Sequence, residues 1–412
     1  VPVPEVPNMI MLPEELRASG IQVLDQTVII KLNGGLGTSM GLEKAKSLLT
    51  VKDGYSFIDI IAHQAIMEGV PLILMNSFST EGDSLKALEK YPQLKRELPL
   101  SFVQHKVPKI AVEDFSPVLW EKNPELAWCP PGHGDIYTAL VTRGTLEALL
   151  EAGVKYAFVS NADNLGATLD RLLLGYFAEN DFPFMMEVAD RTEMDKKGGH
   201  LAMRRSDGQF VLRELAQCPE ENLEEFQDIE RHKYFNTNNI WLNLEALQKA
   251  LVEQEYRSEL PMIRNQKTVD PRDESSAPVY QLETAMGSAI AVFDGAQAVR
   301  VPRNRFAPVK KTDDLFVVRS DAELLNDEFE VIPNPERTLK SPAVELDPAY
   351  YKFVTDLELR FPDGVPSLLG CEYLKIAGDF LFESGVVCRG FVELANNSDA
   401  QIIIGSGTVL EG

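Results

Sequence analysis

Residues 27–46 read TVIIKLNGGLGTSMGLEKAK: a short β-branched apolar run that empties into a glycine-rich turn and then a lysine cluster. Val28, Ile29 and Ile30 have the composition of a buried central strand. Gly34, Gly35, Gly37 and Gly41 remove the side chains that would hold backbone N–H groups away from an anion. Asn33 tolerates the same tight turn, and Lys44 and Lys46 supply point charges for phosphate oxygens. We read the stretch as a phosphate-handling loop. Its spacing fits neither GxxxxGK(S/T) nor GxGxxG, which excludes the ordinary P-loop and dinucleotide-binding readings. Taken as structure alone, the glycines build a turn and the lysines are solvated.

Outward from this strand the pattern alternates. Strands are predicted at 27–32, 71–76, 100–104, 155–160 and 183–189, and helices at about 56–69, 80–90, 134–152 and 168–180. Such alternation with short connections predicts an α/β domain whose sheet is largely parallel and whose site loops gather at the strand carboxyl ends. Residues 199–214 read as a hairpin around Ser206-Asp207-Gly208, followed by an acidic helix near 220–230, a strand ending at Phe235-Asn236-Thr237-Asn238-Asn239, and a helix at about 244–254. The segment 264–278 is polar enough to be a mobile loop, and 281–293 has a helical pattern. Residues 1–26 read as a Pro-rich peripheral arm.

The end of the chain has a period of its own. Leu374, Phe380, Val386 and Val392 lie six residues apart, as do Ile376, Phe382, Cys388 and Leu394, with Gly378, Ser384, Gly390 and Asn396 at turn positions. A six-residue step of apolar pairs and small turn residues predicts a left-handed parallel β-helix, the alternative being a β-meander. The domains expected are 1–26 (arm), 27–315 (catalytic) and 316–412 (coil), the coil offering an end and faces for a homo-oligomer.

Composition narrows the function classes. A formal charge of −23 over 412 residues argues against non-specific binding to nucleic acid or anionic lipid. The basic clusters Lys44/Lys46, Arg303/Arg305 and Lys310/Lys311 therefore stand out, although each by itself reads equally as a solvated face. Cys129, Cys218, Cys371 and Cys388 form no CxxC, and read as packed thiols in a reducing compartment, the cytoplasm by default. The start, VPVPEVPNMIMLPEEL, has neither a basic n-region nor an unbroken apolar core, and no stretch approaches the roughly 18 apolar residues of a membrane span.

Further stretches have the residue types of a site. Trp128-Cys129-Pro130-Pro131-Gly132-His133-Gly134-Asp135-Ile136-Tyr137 places His133 and free N–H groups at a helix start, where anions and carbonyls are favoured. Phe158-Val159-Ser160-Asn161-Ala162-Asp163 ends a buried strand in an acid, where one carboxylate suffices for a Mg²⁺ that takes its other ligands from substrate phosphates. An Asx-turn is the bland reading of Asp163. Glu214 and the asparagines at 236–239 supply the carboxylate and carboxamides suited to a ring of hydroxyls, or else only tie loops.

Together these stretches resemble the eukaryotic-type UDP-glucose pyrophosphorylase family, which opens with KLNGGLGTSMG and continues with WxPPGHGD(I/V)Y, a strand-end aspartate, FNTNN and VPRSRFLPVK. Lys31–Gly41 match the first pattern and Lys46 falls on its lysine, with Lys44-Ala45 where the family has Gly-Pro. Val301–Lys310 match the last. The resemblance implies a Rossmann-like nucleotidyltransferase (GT-A-like) domain that joins UTP and glucose 1-phosphate into UDP-glucose and pyrophosphate with Mg²⁺. It implies Lys310, Lys46 and Asp163 as catalytic groups, Asp163 also holding the metal. It implies UTP contacts from Leu32, Asn33, Gly34, Gly35, Lys46, Gln104, Gly132, Asp163 and Lys310, with Gln104 reading uracil. Sugar-phosphate contacts fall on His133, Asn161, Ala162, Gly199, Glu214 and Asn238. The alternatives are the same reaction with N-acetylhexosamine or a broad range of sugar 1-phosphates, and a non-catalytic nucleotide-sugar sensor. Groups useful only while charge rearranges speak against the sensor.

Overall fold

The structure, a computed structural model, describes residues 1–94, 97–255, 260–271, 273 and 275–412. Strand Thr27–Asn33 lies in a nine-stranded sheet whose main path runs 210–213, 200–203, 234–243, 156–161, 27–33, 72–76, 101–103. It pairs in parallel with Leu72–Asn76 on one side and Tyr156–Asn161 on the other. Strand Tyr234–Asn243 runs antiparallel to both Tyr156–Asn161 and Phe184–Asp190, and Phe184–Asp190 continues in parallel to Gln297–Arg300. The sheet is mixed, with its left-to-right centre parallel.

The apolar run at 28–30 is continuous because both faces of the sheet are covered. Val28 and Ile30 pack with Phe102, Ile136, Leu140 and Val159 on one side, and Ile29 with Ile58, Ala62, Leu72 and Leu74 on the other. Helix Phe57–Glu68 starts in a capping box between Ser56 and Asp59 and stops at Gly69 in the left-handed region, so its ends need no help from the rest of the fold. The N-terminal arm is docked: helix Leu16–Gln22 packs on helix Arg171–Glu179, and Arg300 N donates to Pro7 O at 2.8 Å.

Three expectations need correction. The helix expected at 134–152 is two, Ile136–Thr142 and Thr145–Glu151, divided at Gly144. The acidic helix shortens to Leu223–Gln227 behind a 3₁₀ turn at Glu220–Asn222. The polar loop and following helix are instead a hairpin, Met262–Thr268 against Pro278–Thr284, followed by a 3₁₀ turn at Met286–Ala291; of the loop region, residues 272 and 274 lie outside the described residues. That hairpin pairs along one edge with Ile110–Ala111, and of its strand residues only Val279 is buried, so its strands carry little apolar signal.

Both six-residue registers of the C-terminal segment point inward. Leu374, Phe380, Val386, Val392, Ile376, Phe382 and Cys388 are buried in one cluster, and Leu394 packs against it. Leu374 pairs with Val392 and Ile376 with Leu394 in parallel, while Phe380 pairs with Ile402, so alternate strands stack in parallel. The cluster also takes in Met40, Leu49, Phe57, Leu165 and Val309 from the α/β region. Among the described residues no helix is long and apolar enough to cross a membrane.

Candidate active site

The strand carboxyl ends at Leu32 and Asn161 lie side by side and open into a cleft of about 330 Å³. The glycine loop forms its floor. Gly34 leaves room for Gln104: a Cβ there would sit 2.2 Å from its Nε2, so any side chain would displace the buried amide that is brought against the loop. Lys46 N donates to Gly35 O at 3.0 Å, which folds the lysine back over the turn. Ala45, where the resembling family has proline, adopts φ −51° and ψ 128°, inside the range a proline ring imposes. Lys44 is not at positive φ, so a side chain there brings no left-handed strain.

Asp163 organises the charge. Its Oδ2 accepts from Lys46 Nζ at 2.7 Å and from Lys310 Nζ at 2.8 Å, while its Oδ1 is buried without a hydrogen-bond partner. Burial works to raise the carboxyl, and the two ammonium groups overcome it, leaving Asp163 below its ordinary value and ionised. The charged groups lining the cleft are Lys46 and Lys310 against Asp163 and Glu283, two of each sign. Among the described residues no set of three or more His, Cys, Asp or Glu is placed to hold a metal, so Asp163 would act with ligands from the substrate.

Lys310 arrives by a stitched path. Leu165 N donates to Ala307 O and Val309 N to Asp163 O, while Asn164 bonds Ala307 N, Arg305 O and Asn239. Arg305, one of the basic groups that stood out in the sequence, is not a phosphate ligand: its guanidinium is buried on Glu187, which also accepts from Asn239 and Trp241. Arg303 is likewise committed, to Asp195 at 2.7 Å. Lys31 is buried as well, donating to Ser160 Oγ and Ala167 O, and burial pushes it down to about 7.

A second cleft, of about 530 Å³, adjoins the first and shares His133 and Glu283 with it. His133 Nδ1 accepts from Met286 N at 2.8 Å, which leaves Nε2 as the protonated, donating nitrogen. Burial, with Lys310 nearby, pushes the imidazole down to about 4, so it is neutral at pH 7. Glu214 lies over Gly199, where a Cβ would meet both carboxylate oxygens at 2.6 Å, and burial pushes Glu214 up from its ordinary value. In the stretch 235–239 the residues alternate: Asn236 and Asn238 line the cleft, whereas Thr237 and Asn239 are buried and bonded to Glu187.

Every UTP and sugar-phosphate contact that the resemblance implied lines one of these two clefts, whereas Lys44, Arg303, Arg305 and Lys311 line neither. Leu32, Asn33, Gly34, Gly35, Lys46, Gln104, Gly132, Asn161, Ala162, Asp163 and Lys310 line the first, Gly199, Glu214 and Asn238 the second, and His133 both. Asn33 contributes no free amide, since its Nδ2 donates to Asn76 and Ser84. Asp135 faces away from the clefts and holds His105, the residue after Gln104, by its N–H and its ring. Sequence reasoning missed Gln281, Glu283 and Asn265, all on the hairpin taken for a loop and a helix.

Comparison with known proteins agrees with this geometry. A protein-family model described as UTP--glucose-1-phosphate uridylyltransferase matches residues 4–389. The chain is 43% identical over 397 residues to the UTP--glucose-1-phosphate uridylyltransferase of Solanum tuberosum, covering 94% of this chain and 81% of that protein. With the Saccharomyces cerevisiae protein of the same name it is 40% identical over 395 residues, covering 94% and 77%. Among solved structures, a UDP-glucose phosphorylase from Trypanosoma brucei superposes with a TM-score of 0.90 at 47% identity, covering 100% of this chain and 89% of that one. A Leishmania major UDP-glucose pyrophosphorylase variant in complex with UDP-glucose gives 0.89 at 42%, with the same coverage. A match over nearly the whole chain, on a fold that assembles the sequence motifs around one pair of clefts, places this protein in the UTP--glucose-1-phosphate uridylyltransferase family.

Proposed function

We propose that the protein transfers a uridylyl group from UTP to glucose 1-phosphate, giving UDP-glucose and pyrophosphate. The observation that carries the proposal is the shared wall of His133 and Glu283: it sets a cleft of strand-end backbone, glycine loop and lysines against one lined by a carboxylate and carboxamides. The first suits a nucleoside triphosphate and the second a hexose.

The sugar phosphate is already ionised at neutral pH, so neither a protein nucleophile nor a general base is needed. One of its oxygens forms a bond to the α-phosphorus in line. The bond from that phosphorus to the bridging oxygen breaks, and the electron pair leaves with pyrophosphate. Lys46 and Lys310 neutralise the phosphates and the charge that develops on them. His133, neutral and fixed by Met286, acts as a hydrogen-bond donor where the two clefts meet. Gln104 offers an amide to the complementary edge of uracil, and Gly132 and the loop N–H groups complete the nucleotide side.

Asp163 suits a Mg²⁺, because its unpartnered buried Oδ1 and a cleft with no net positive charge both call for a cation. When bound, the ion supplies charge neutralisation that the lysines, already shared with Asp163, do not complete. We also read residues 1–26 as an arm, 27–315 as the catalytic domain and 316–412 as a left-handed β-helix, on the strength of the parallel stacking of 343–346, 367–377, 387–395 and 409–411. Four free thiols support a cytoplasmic location. The exposed Phe391, Ile403 and Val409 on the coil support self-association, which light scattering of the full chain tests; a monomer mass would remove it.

The activity is tested by pyrophosphate release from UTP and Mg²⁺ with a panel of sugar 1-phosphates. Release with glucose 1-phosphate is expected. Release with N-acetylglucosamine 1-phosphate alone would transfer the reading to the aminosugar, and release with none would leave a sensor.

A further inference from the structure

We propose that Asn236 is a positioning residue that fixes which end of the Asn238 amide faces the sugar, so that the hexose meets an N–H donor there and not a carbonyl. The inference rests on the uridylyl-transfer reading and deepens its sugar side.

Asn238 is held at φ +59°, a left-handed conformation that asparagine tolerates and most side chains do not. It sits where the pairing of Tyr234–Asn243 with Phe184–Asp190 slips: Met186 faces Ile240 but Val188 faces Asn236, so Glu187 alone stands opposite three residues. Two of the three are fixed from behind. Thr237 Oγ1 donates to Glu187 O at 2.7 Å and Asn239 Nδ2 to Glu187 Oε2 at 3.0 Å. The third, Asn238, is thereby pushed toward the second cleft, beside Glu214.

Asn236 then sets the polarity by a chain of obligation. The N–H of Asn238 can only donate, and it lies 2.9 Å from the Asn236 side chain, so the atom it meets must be Oδ1. The other end of the Asn236 amide is therefore Nδ2, a donor, and it lies 2.8 Å from the Asn238 side chain, whose facing atom must be Oδ1. What Asn238 has left for a ligand is its Nδ2. With the Glu214 carboxylate as acceptor, the cleft offers both halves of what a hydroxyl needs.

Asn236→Asp separates orientation from support. A carboxylate still accepts from the Asn238 N–H, so the backbone conformation is kept, but it has no donor to give. The Asn238 amide must turn its own Nδ2 toward residue 236 and present Oδ1 to the sugar. We expect KM for glucose 1-phosphate to rise about 10- to 100-fold with KM for UTP within about twofold of wild type. Asn238→Asp, which keeps its bond from Asn236 Nδ2 and presents an acceptor outward, should share that phenotype and guards against a folding defect in the first variant. Isothermal titration of UDP-glucose reads the same preference without turnover. Asn236→Asp at wild-type KM and wild-type UDP-glucose affinity, or an equal loss toward UTP, would overturn the assignment. A wild-type chain that binds UDP-glucose but releases no pyrophosphate from UTP and glucose 1-phosphate would overturn the transfer reading instead, and the titration would still decide the role of Asn236.

Discussion

On the proposed reading, the two ends of the site solve different problems with different residues. At the phosphate end, Lys46 and Lys310, from opposite halves of the α/β domain, meet on one oxygen of Asp163. At the sugar end, two amides hold each other and a carboxylate stands by, with no lysine or arginine lining the cleft. Charge acts at a distance and tolerates loose placement, whereas a hydrogen bond to a neutral hydroxyl is lost within a fraction of an ångström. The amide end accordingly carries the slipped strand pairing and a non-glycine residue at positive φ, and the charged end sits on regular strand termini and a glycine turn.

If this division is right, substitutions should split by kinetic parameter. Lys310→Ala and Asp163→Ala should each lower kcat by roughly 10²- to 10³-fold with an unchanged circular dichroism spectrum, the usual result of removing preorganised charge. Unchanged rates in a folded variant would dissolve the contrast. Lys46→Ala should act mainly on KM for UTP, by about tenfold, and steady-state kinetics with UTP varied would show it. Equal effects on both substrates would make the two ends one electrostatic unit.

Acid should sharpen the comparison, because a neutral imidazole stands in the wall the clefts share and another lies behind the sugar side. His133 is held at about 4 and His200, behind Gly199, at about 2 by burial and by His232, Arg191 and Arg213. Both folded values lie below the ordinary one, so each contributes stability that is full above about pH 6.5 and is lost as the pH falls below it. Urea titrations at pH 7 and pH 5 should show a loss of about 2 kcal/mol from the fully buried His200, and His200→Phe should reduce that loss. The smallest effect belongs to the loop: Ala45→Pro should raise stability by about 0.4–1 kcal/mol without changing kcat, measured by thermal melting, since residue 45 already has the φ of proline.

The contrast also explains what was legible in the sequence. The strands of the α/β region followed from continuous apolar runs such as 28–30, and the inward registers of the C-terminal segment followed from the six-residue step at 374–394, because burial dictates both patterns. The hairpin at 262–284 was not legible, since Val279 is the one buried residue of its strands and Val279, Met286, Ile290 and Phe293 happen to fall at helical spacing. Glu283 and Gln281 were missed with it. Motifs located Lys46, Asp163 and Lys310 but not their meeting on one oxygen, and composition could not tell that Arg305 spends its charge on Glu187. Partnership across 118 or 147 residues is a property of the fold, not of the motif.

Helix Thr312–Arg319 begins two residues after Lys310, and its Asp314 accepts the N–H groups of both Lys310 and Lys311. Its neighbour Asp313 accepts from Leu346 N, and Leu315 and Phe316 are buried in one cluster with side chains of the C-terminal segment. The lysine is thus moored to the far end of the chain, and cutting the polypeptide at residue 320 would strip an apolar surface bare and set the lysine adrift along with it. A protease nick in that region should silence turnover well before the central sheet unravels.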